Sequence, residues 1–385
     1  MLFMHIFAVR VKAVGESKIA ESLKLLEQDP SAISLGAGEP DFPTPEHIVV
    51  AACKMLKKGY THYSPLQGKK ELREAVVKKV KKDNKIDATS EEVIVTCGSK
   101  EAILLSMMTF VDPGDEVIVP DPSYMAYRPI VKLINGISVP LPLKEENNFE
   151  IEADILEKIV GIKTKVLVIN SPANPTGAVY SRKTLEEIAD IVIDKDLMVI
   201  SDEAYEKLTY DGVKHVSIGS LNGMKEYTIT IQSFSKTYAM CGFRIGYAVA
   251  SPDVIKEMTE YKICTTLGAP TAFQMAAVTA LTGSQTCVQK MRKEYDRRRK
   301  FIVKRLCEMG LNCTNPKGAF YAFPNISSQK MNSEQFSDFL LKNVKVIVIP
   351  GNEFGECGEG YVRMSYATAY EKIVEAMNRI EKSIK

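Results

Sequence analysis

Tryptophan is absent from the 385 residues, which leaves tyrosine and phenylalanine to supply any ring stacking. Histidine occurs four times, at His5, His47, His62 and His215, and no pair has the spacing of a helical metal site. The cysteines, Cys53, Cys97, Cys241, Cys264, Cys287, Cys307, Cys313 and Cys357, never form a Cys-x-x-Cys pair, so a zinc signal is missing. In a chain this large they read as reduced, mostly buried thiols of a cytosolic protein. Neither sign of charge is in excess: the net charge of +2 gives no support for a nucleic-acid or polyanion partner. Long apolar runs are lacking too. The segment Met1 to Ala8 is apolar but short and carries no cleavage motif, so no membrane association is expected and the cytoplasm is the expected location. No fixed-period repeat or low-complexity stretch stands out.

What is present is an ordinary globular composition, 45% hydrophobic and 25% charged, over a length that suggests two domains. Short β-branched runs at Val93-Thr96, Glu116-Val119, Ile137-Leu141, Val166-Asn170, Met198-Asp202, Thr228-Gln232 and Ile245-Ala250 read as strands. Helical patterns such as Lys100-Val111 and Ser181-Asp194 separate several of them, which indicates an α/β domain with a largely parallel sheet covered on both faces. After about residue 285 the pattern changes to a long charged helix, Gln289-Gly310, short strands near Ala319-Phe323 and Val344-Pro350, and a final helix from Ala369 whose Ile373, Ala376, Met377 and Ile380 form a stripe. The expected division is an N-terminal arm and part of a small domain over 1–45, a large α/β domain over 46–285, and a small α+β domain over 286–385. The arm reads as a helix, Ser17-Gln28, followed by a Gly/Pro-rich structured loop, Leu35-Phe42. The runs Lys78-Lys79-Val80-Lys81-Lys82 and Arg297-Arg298-Arg299 read as solvated helix faces.

Chemistry concentrates around Lys236, in Ser233-Phe-Ser-Lys-Thr-Tyr-Ala-Met-Cys-Gly-Phe-Arg244, just past a strand. Its amine could form a Schiff base with an aldehyde while the hydroxyls and the guanidinium hold a phosphate, and pyridoxal 5′-phosphate (PLP) offers both groups. Taken alone, the lysine would read as a solvated loop residue. Cys97-Gly98-Ser99-Lys100 then supplies a glycine turn and helix amides for an anion, though the same string also serves as a plain helix cap. Asp202 ends an apolar strand and could face a pyridine nitrogen, keeping it protonated; a cap is the competing use. Tyr205 lies three residues on. Asn174, in the turn Asn-Pro-Thr-Gly, could bond a ring hydroxyl, and Tyr124 could stack on the ring. Arg363 sits inside an alternating strand, where an inward guanidinium needs an anion: an amino acid's carboxylate or a structural acid.

These residues in this order resemble the class I/II aminotransferases of the PLP fold type I enzymes, nearest the branch of prokaryotic aspartate and archaeal aromatic aminotransferases. The likeness runs from about Val11 to Lys385 and rests on SLGAGEPDF (Ser34-Phe42), THYSPLQGKKELREAV (Thr61-Val76), NSPANPTGAVY (Asn170-Tyr180), SDEAYE (Ser201-Glu206), SFSKTYAMCGFRIGY (Ser233-Tyr247) and YVRMSYAT (Tyr361-Thr368). The resemblance implies a seven-stranded, mostly parallel sheet sandwiched by helices, with the last strand antiparallel, plus a smaller α+β domain. It makes Lys236 the Schiff-base lysine, Asp202 the pyridinium partner, Asn174 and Tyr205 the ring-hydroxyl ligands, and Ser99, Lys100, Ser233 and Arg244 the phosphate ligands. It makes Gly36 and Arg363 the contacts to the substrate carboxylate, with Tyr124 and Asn174 beside the substrate. Tyr63 matches a tyrosine that reaches the phosphate of a neighbouring subunit, which implies a homodimer. Tyr124 stands where many aspartate aminotransferases have tryptophan.

The implied reaction moves the amino group of an L-amino acid to a 2-oxo acid, with Lys236 transferring the Cα proton. L-Aspartate with 2-oxoglutarate ranks first and aromatic donors second. No motif names a cation for a distal carboxylate; Arg292 and Lys262 read as helix-surface residues, and an aromatic ring could lie beside Tyr124 and the apolar segment around Val14. A PLP lyase on the same fold is the alternative chemistry, and a PLP-dependent regulator would need a DNA-binding module for which the elements leave no room.

Overall fold

The structure, a computed structural model, describes residue 29 and residues 31–384; the helix expected over Ser17-Gln28 and the segment around Val14 lie outside them. The strands, in chain order, are β1 (Ile33–Ser34), β2 (Val93–Thr96), β3 (Glu116–Asp121), β4 (Ile137–Pro142), β5 (Thr164–Asn170), β6 (Met198–Asp202), β7 (Thr228–Ser233), β8 (Gly246–Val249), β9 (Tyr321–Ala322), β10 (Val346–Ile347), β11 (Ile349–Pro350) and β12 (Val362–Ser365).

Seven of them, in the order β2-β8-β7-β6-β5-β3-β4, form one sheet. Only β8 runs against its neighbours, pairing antiparallel with β2 and β7, while β3, β4, β5, β6 and β7 pair in parallel. The central strands are near-continuous apolar runs because helices cover both faces. Ile200, Ile229 and Ile231 meet Ile103 and Leu105 of the helix Ser99–Phe110 in one cluster. Val199 and Leu167 meet Leu185, Ile188, Ala189 and Val192 of the helix Arg182–Asp194 in another. That second helix starts where its serine predicts: Ser181 Oγ accepts the Thr184 amide at 3.1 Å.

A second layer of structure uses β11-β12-β9 as an antiparallel sheet, with β1 paired in parallel to β10. Ile373, Ala376, Met377 and Ile380 of the helix Tyr370–Ile384 pack there with Ile302 and Leu306 of the helix Thr286–Glu308 and Phe336 and Leu340 of the helix Ser333–Val344. Among the described residues no helix is long and apolar enough to cross a membrane.

Three sequence expectations about charge and burial need correction. Arg298 and Arg299 are buried, not solvated. Arg298 bonds Asp41 at 2.8 Å with its guanidinium over the Phe42 ring, and Arg299 binds Asp211, Asp296 and Asn315, so each charge is compensated inside the fold. Lys262 is buried as well, and its ammonium donates to the carbonyls of Leu66 and Val95. The cysteines are all free thiols, yet none belongs to the fully buried set: Cys53, Cys264 and Cys307 are exposed and the rest are half-buried.

Candidate active site

The parallel strands deliver their C-terminal ends to one crevice, the place where ligands collect in open α/β sheets. Strand β7 ends at Ser233, whose hydroxyl accepts the Ser235 amide at 3.2 Å and caps the one-turn helix Phe234–Thr237. That turn points Lys236 into a cavity of about 420 Å³, where its Nζ donates to the Gly38 carbonyl at 2.6 Å. Burial pulls the Lys236 ammonium below the usual lysine range, and Arg363 and Arg244 push the same way against Cys241 and Glu39.

One wall of the cavity is built for an anion. Gly98 takes φ +85° ahead of the helix Ser99–Phe110, and a side chain there would meet Arg244 Nη2 at 2.6 Å. Gly246 is as constrained: a Cβ would stand 2.8 Å from the Ser99 amide. Arg244 is itself left-handed, and it donates to the carbonyls of Cys241 at 2.9 Å and Cys97 at 3.1 Å. Ser99, Lys100, Ser233, Ser235 and Arg244 therefore line the same space as the free amides of a helix N-terminus.

Asp202 ends β6 directly opposite Asn170 of β5 in the sheet register. Its carboxylate accepts from the Tyr127 hydroxyl at 2.8 Å and the Ala204 amide at 3.1 Å. Burial drives its pKa up, and those two donors and Lys236 only partly oppose the rise. A buried carboxyl in this condition is stabilised by any cation brought against it.

Across the cavity Arg363, buried on β12, donates Nη1 to the Asn174 side-chain oxygen at 3.0 Å and Nη2 to the Gly36 carbonyl at 2.7 Å. Its Nε is buried without a partner. The guanidinium lies 4.4 Å over the Tyr321 ring, and the Tyr321 hydroxyl meets that of Tyr205 at 2.8 Å. Asn174 is held in turn, its amide donating to Asn170 Oδ1 at 2.9 Å. Tyr124 lines the cavity, edge-on to Tyr127 at 5.5 Å and with the Lys100 ammonium 5.8 Å from its ring centre.

Lys236, Asp202, Tyr124, Ser99, Lys100, Asn174, Tyr205, Ser233, Arg244 and Arg363 thus line one cavity, and Gly36 is bonded to Arg363 at its edge. Tyr63 does not line it; its side stands 85% exposed. Sequence reasoning named Ser235 as an anion donor, and it lines the cavity; it passed over Tyr127, Tyr321, Asn170, Cys241 and Glu39. Tyr127 could have been found, since it lies three residues beyond Tyr124, at the start of the helix Tyr127–Leu133. A carboxylate and histidine cluster lies behind Asp202: ligand atoms of Glu203, Glu206 and His215 fall within 4.8 Å of one another. Lys79, Asn84, Gln232 and Ser217 already engage those carboxylates.

Comparison with known proteins gives a consistent result. The family described as Aminotransferase class I and II matches residues 30–380. Aromatic-amino-acid aminotransferase 2 of Thermococcus litoralis is 48% identical over 379 residues, covering 98% of this chain and 97% of its own. The aspartate aminotransferase of Pyrococcus abyssi is also 48% identical, with the same coverage. Among solved structures, the aspartate aminotransferase of Thermus thermophilus with maleate superposes with a TM-score of 0.95 at 37% identity, over 99% of this chain and 100% of that one. The aromatic aminotransferase of Pyrococcus horikoshii superposes at 0.90 with 49% identity, over 94% and 97%.

Proposed function

The chain belongs to the class I and II aminotransferases, and from that premise we propose a PLP enzyme that transfers the amino group of L-aspartate to 2-oxoglutarate. The family is PLP-dependent, and the cavity residues fit that cofactor. The Gly98 and Gly246 cradle with Ser99, Ser233, Ser235 and Arg244 suits a phosphate, and buried Asp202 suits a ring N–H. Tyr205 and Asn174 would bond the ring hydroxyl, with Tyr124 as a ring wall. When bound, the cofactor supplies an aldehyde for the Lys236 amine and an electron-poor ring that stabilises charge at the substrate Cα.

The remaining work falls to the chain. Arg363 binds the donor's α-carboxylate with its fork, helped by its spare Nε, and is held by the Gly36 carbonyl. That grip orients the Cα–H bond toward Lys236. Lys236 Nζ, its pKa lowered by burial, would take the Cα proton as general base and then donate it as general acid.

The single observation that carries this reading is the convergence of Lys236, Asp202 and Arg363 on one cavity from β7, β6 and β12. For an acidic donor, Lys100 matters. Of the cationic side chains lining the cavity, it alone has no role toward lysine chemistry, α-carboxylate or phosphate through its ammonium, which leaves it for a distal carboxylate. Aromatic donors are a second reading, favoured by the tyrosine walls Tyr124, Tyr205 and Tyr321 and by the aromatic relatives. Steady-state assays with aspartate, phenylalanine and tyrosine as donors decide between them; a kcat/KM for aspartate tenfold below that for phenylalanine sinks the first reading.

The same proposal includes a large domain over 46–285, a small domain over 286–385 with the arm, a cytoplasmic location, and a homodimer. Exposed Tyr63 supports the dimer, as do the exposed apolar side chains of Val50, Leu56, Tyr261, Ile263 and Leu267. Tyr63 of each subunit would serve the neighbouring phosphate.

A further inference from the structure

We propose that a second cavity, sharing no lining residue with the first, binds a small multivalent anion carrying phosphate or clustered carboxylate groups. It encloses about 480 Å³ between the helix Lys70–Lys79 with its continuation Val80–Asn84 and the junction of the helices Thr271–Thr282 and Thr286–Glu308. Five cationic side chains line it, from Lys78, Lys79, Lys82, Lys207 and Arg292, against one acid, Asp83.

The pairing inside the cavity is lopsided. Asp83 is taken by Lys207 at 2.7 Å, and Lys79 by buried Glu206 together with the Asn84 amide oxygen. Lys78, Lys82 and Arg292 have no acidic partner among the described residues. Lys78, on the α-helix, and Lys82, four positions on in its π-helical continuation, border the same cavity as two like charges. Elsewhere this surface does the opposite. Lys70–Glu74, Arg182–Glu186, Lys183–Glu187 and Lys342–Asp338 all pair cation with acid at that spacing. The chain's net charge of +2 therefore hides a local excess of positive charge in a concave site.

A small multivalent anion relieves that repulsion, with the Arg292 fork giving two parallel hydrogen bonds and the lysines point charges. Polar groups complete the lining: the Tyr238 hydroxyl donates to Gln285 at 2.9 Å, and both residues border the cavity. Tyr238 also ends the short helix that carries Lys236. Lysine and arginine groups do not separate a phosphate compound from a polycarboxylate, so the test carries both.

Holoenzyme is titrated calorimetrically at 0.15 M salt with inorganic pyrophosphate and, separately, with citrate. The comparison is between the native chain, a Lys78→Ala/Lys82→Ala/Arg292→Ala variant, and a control of equal charge change, Lys183→Ala/Lys304→Ala/Lys342→Ala. Arg292→Glu alone serves if the first variant melts early. The expected result is saturable binding of one anion per chain by native and control proteins, at least tenfold weaker in the cavity variants. The tighter probe identifies the ligand class. Absence of saturable binding by either probe, or equal affinity in the cavity variants, overturns the proposal. Binding is read without turnover, so this result stands apart from the choice of amino donor.

Discussion

Arg363 Nη1 and the Asn174 side-chain oxygen meet at 3.0 Å, joining strand β12 to the turn after β5 across 189 positions of chain. The same guanidinium holds the Gly36 carbonyl, so one buried cation ties together three segments that are distant in sequence. Arg363→Lys keeps the charge and loses the fork. We expect kcat/KM for the amino donor to fall by about 10- to 100-fold, the equivalent of about 1.5–3 kcal/mol for a charge-assisted hydrogen bond, mostly through KM. Steady-state kinetics check this; an unchanged KM removes Arg363 from substrate binding.

Tyr127 acts through Asp202. Tyr127→Phe deletes one donor to a buried carboxylate and should cost about 1.5 kcal/mol, roughly tenfold in kcat or in cofactor retention. Asp202→Asn removes the negative charge itself and should cost far more. If the two variants lose activity equally, the charge at Asp202 is not what matters.

The Lys236 amine reacts only when neutral, and burial lowers its pKa from the ordinary 10.5. The rate at which cofactor-free protein takes up PLP should rise with pH and level off with a midpoint below 10.5. Stopped-flow absorbance across pH 6–11 gives the midpoint; a rate still climbing past 10.5 contradicts the assigned environment.

Glu206 shows the opposite sign. Burial alone would push its carboxyl up, but Lys79, with Lys207 and His215, brings it down to about 2. A depressed carboxyl adds stability that is fully present above the unfolded value of 4.5 and is lost as pH falls toward 2. Urea unfolding of native protein and Glu206→Gln should therefore show a gap at pH 6 that closes between pH 4.5 and 2. A gap independent of pH rules out the ion pair as its source.

Lys100 is expected to select the donor. Lys100→Ala should lower kcat/KM for aspartate by at least tenfold while changing phenylalanine less than threefold. Equal losses for both donors would mean that its ammonium serves the phosphate instead.

The sheet was readable because most of its strands are buried apolar runs, the edge strand β4 being the exception. Val93–Thr96 and Met198–Asp202 appear in the structure with the expected bounds, and the ends of the other strands shift by only a few residues. Residues that the fold gathers in one cavity were readable wherever a strand end and a turn coincide, as at Asp202, Asn174 and Lys236. Tyr321 and Asn170 escaped because their roles arise from contacts between distant segments, Tyr321 with Tyr205 and Asn170 with Asn174 and Asp202. Arg298, Arg299 and Lys262 misled for a related reason. In sequence they look like helix charges, and only the fold supplies the Asp41, Asp211 and carbonyl partners that let them be buried. Donor identity was least readable, since no motif names a cation for a distal carboxylate and the relatives divide between aspartate and aromatic aminotransferases.

The central claim is that Lys236 is the amine that holds the cofactor. Borohydride reduction of the native holoprotein, followed by peptide mass spectrometry, tests it directly. The account predicts a reduced pyridoxyl phosphate adduct on Lys236 and its loss in Lys236→Ala. An adduct on another lysine, or none on Lys236 in fully active protein, would contradict it.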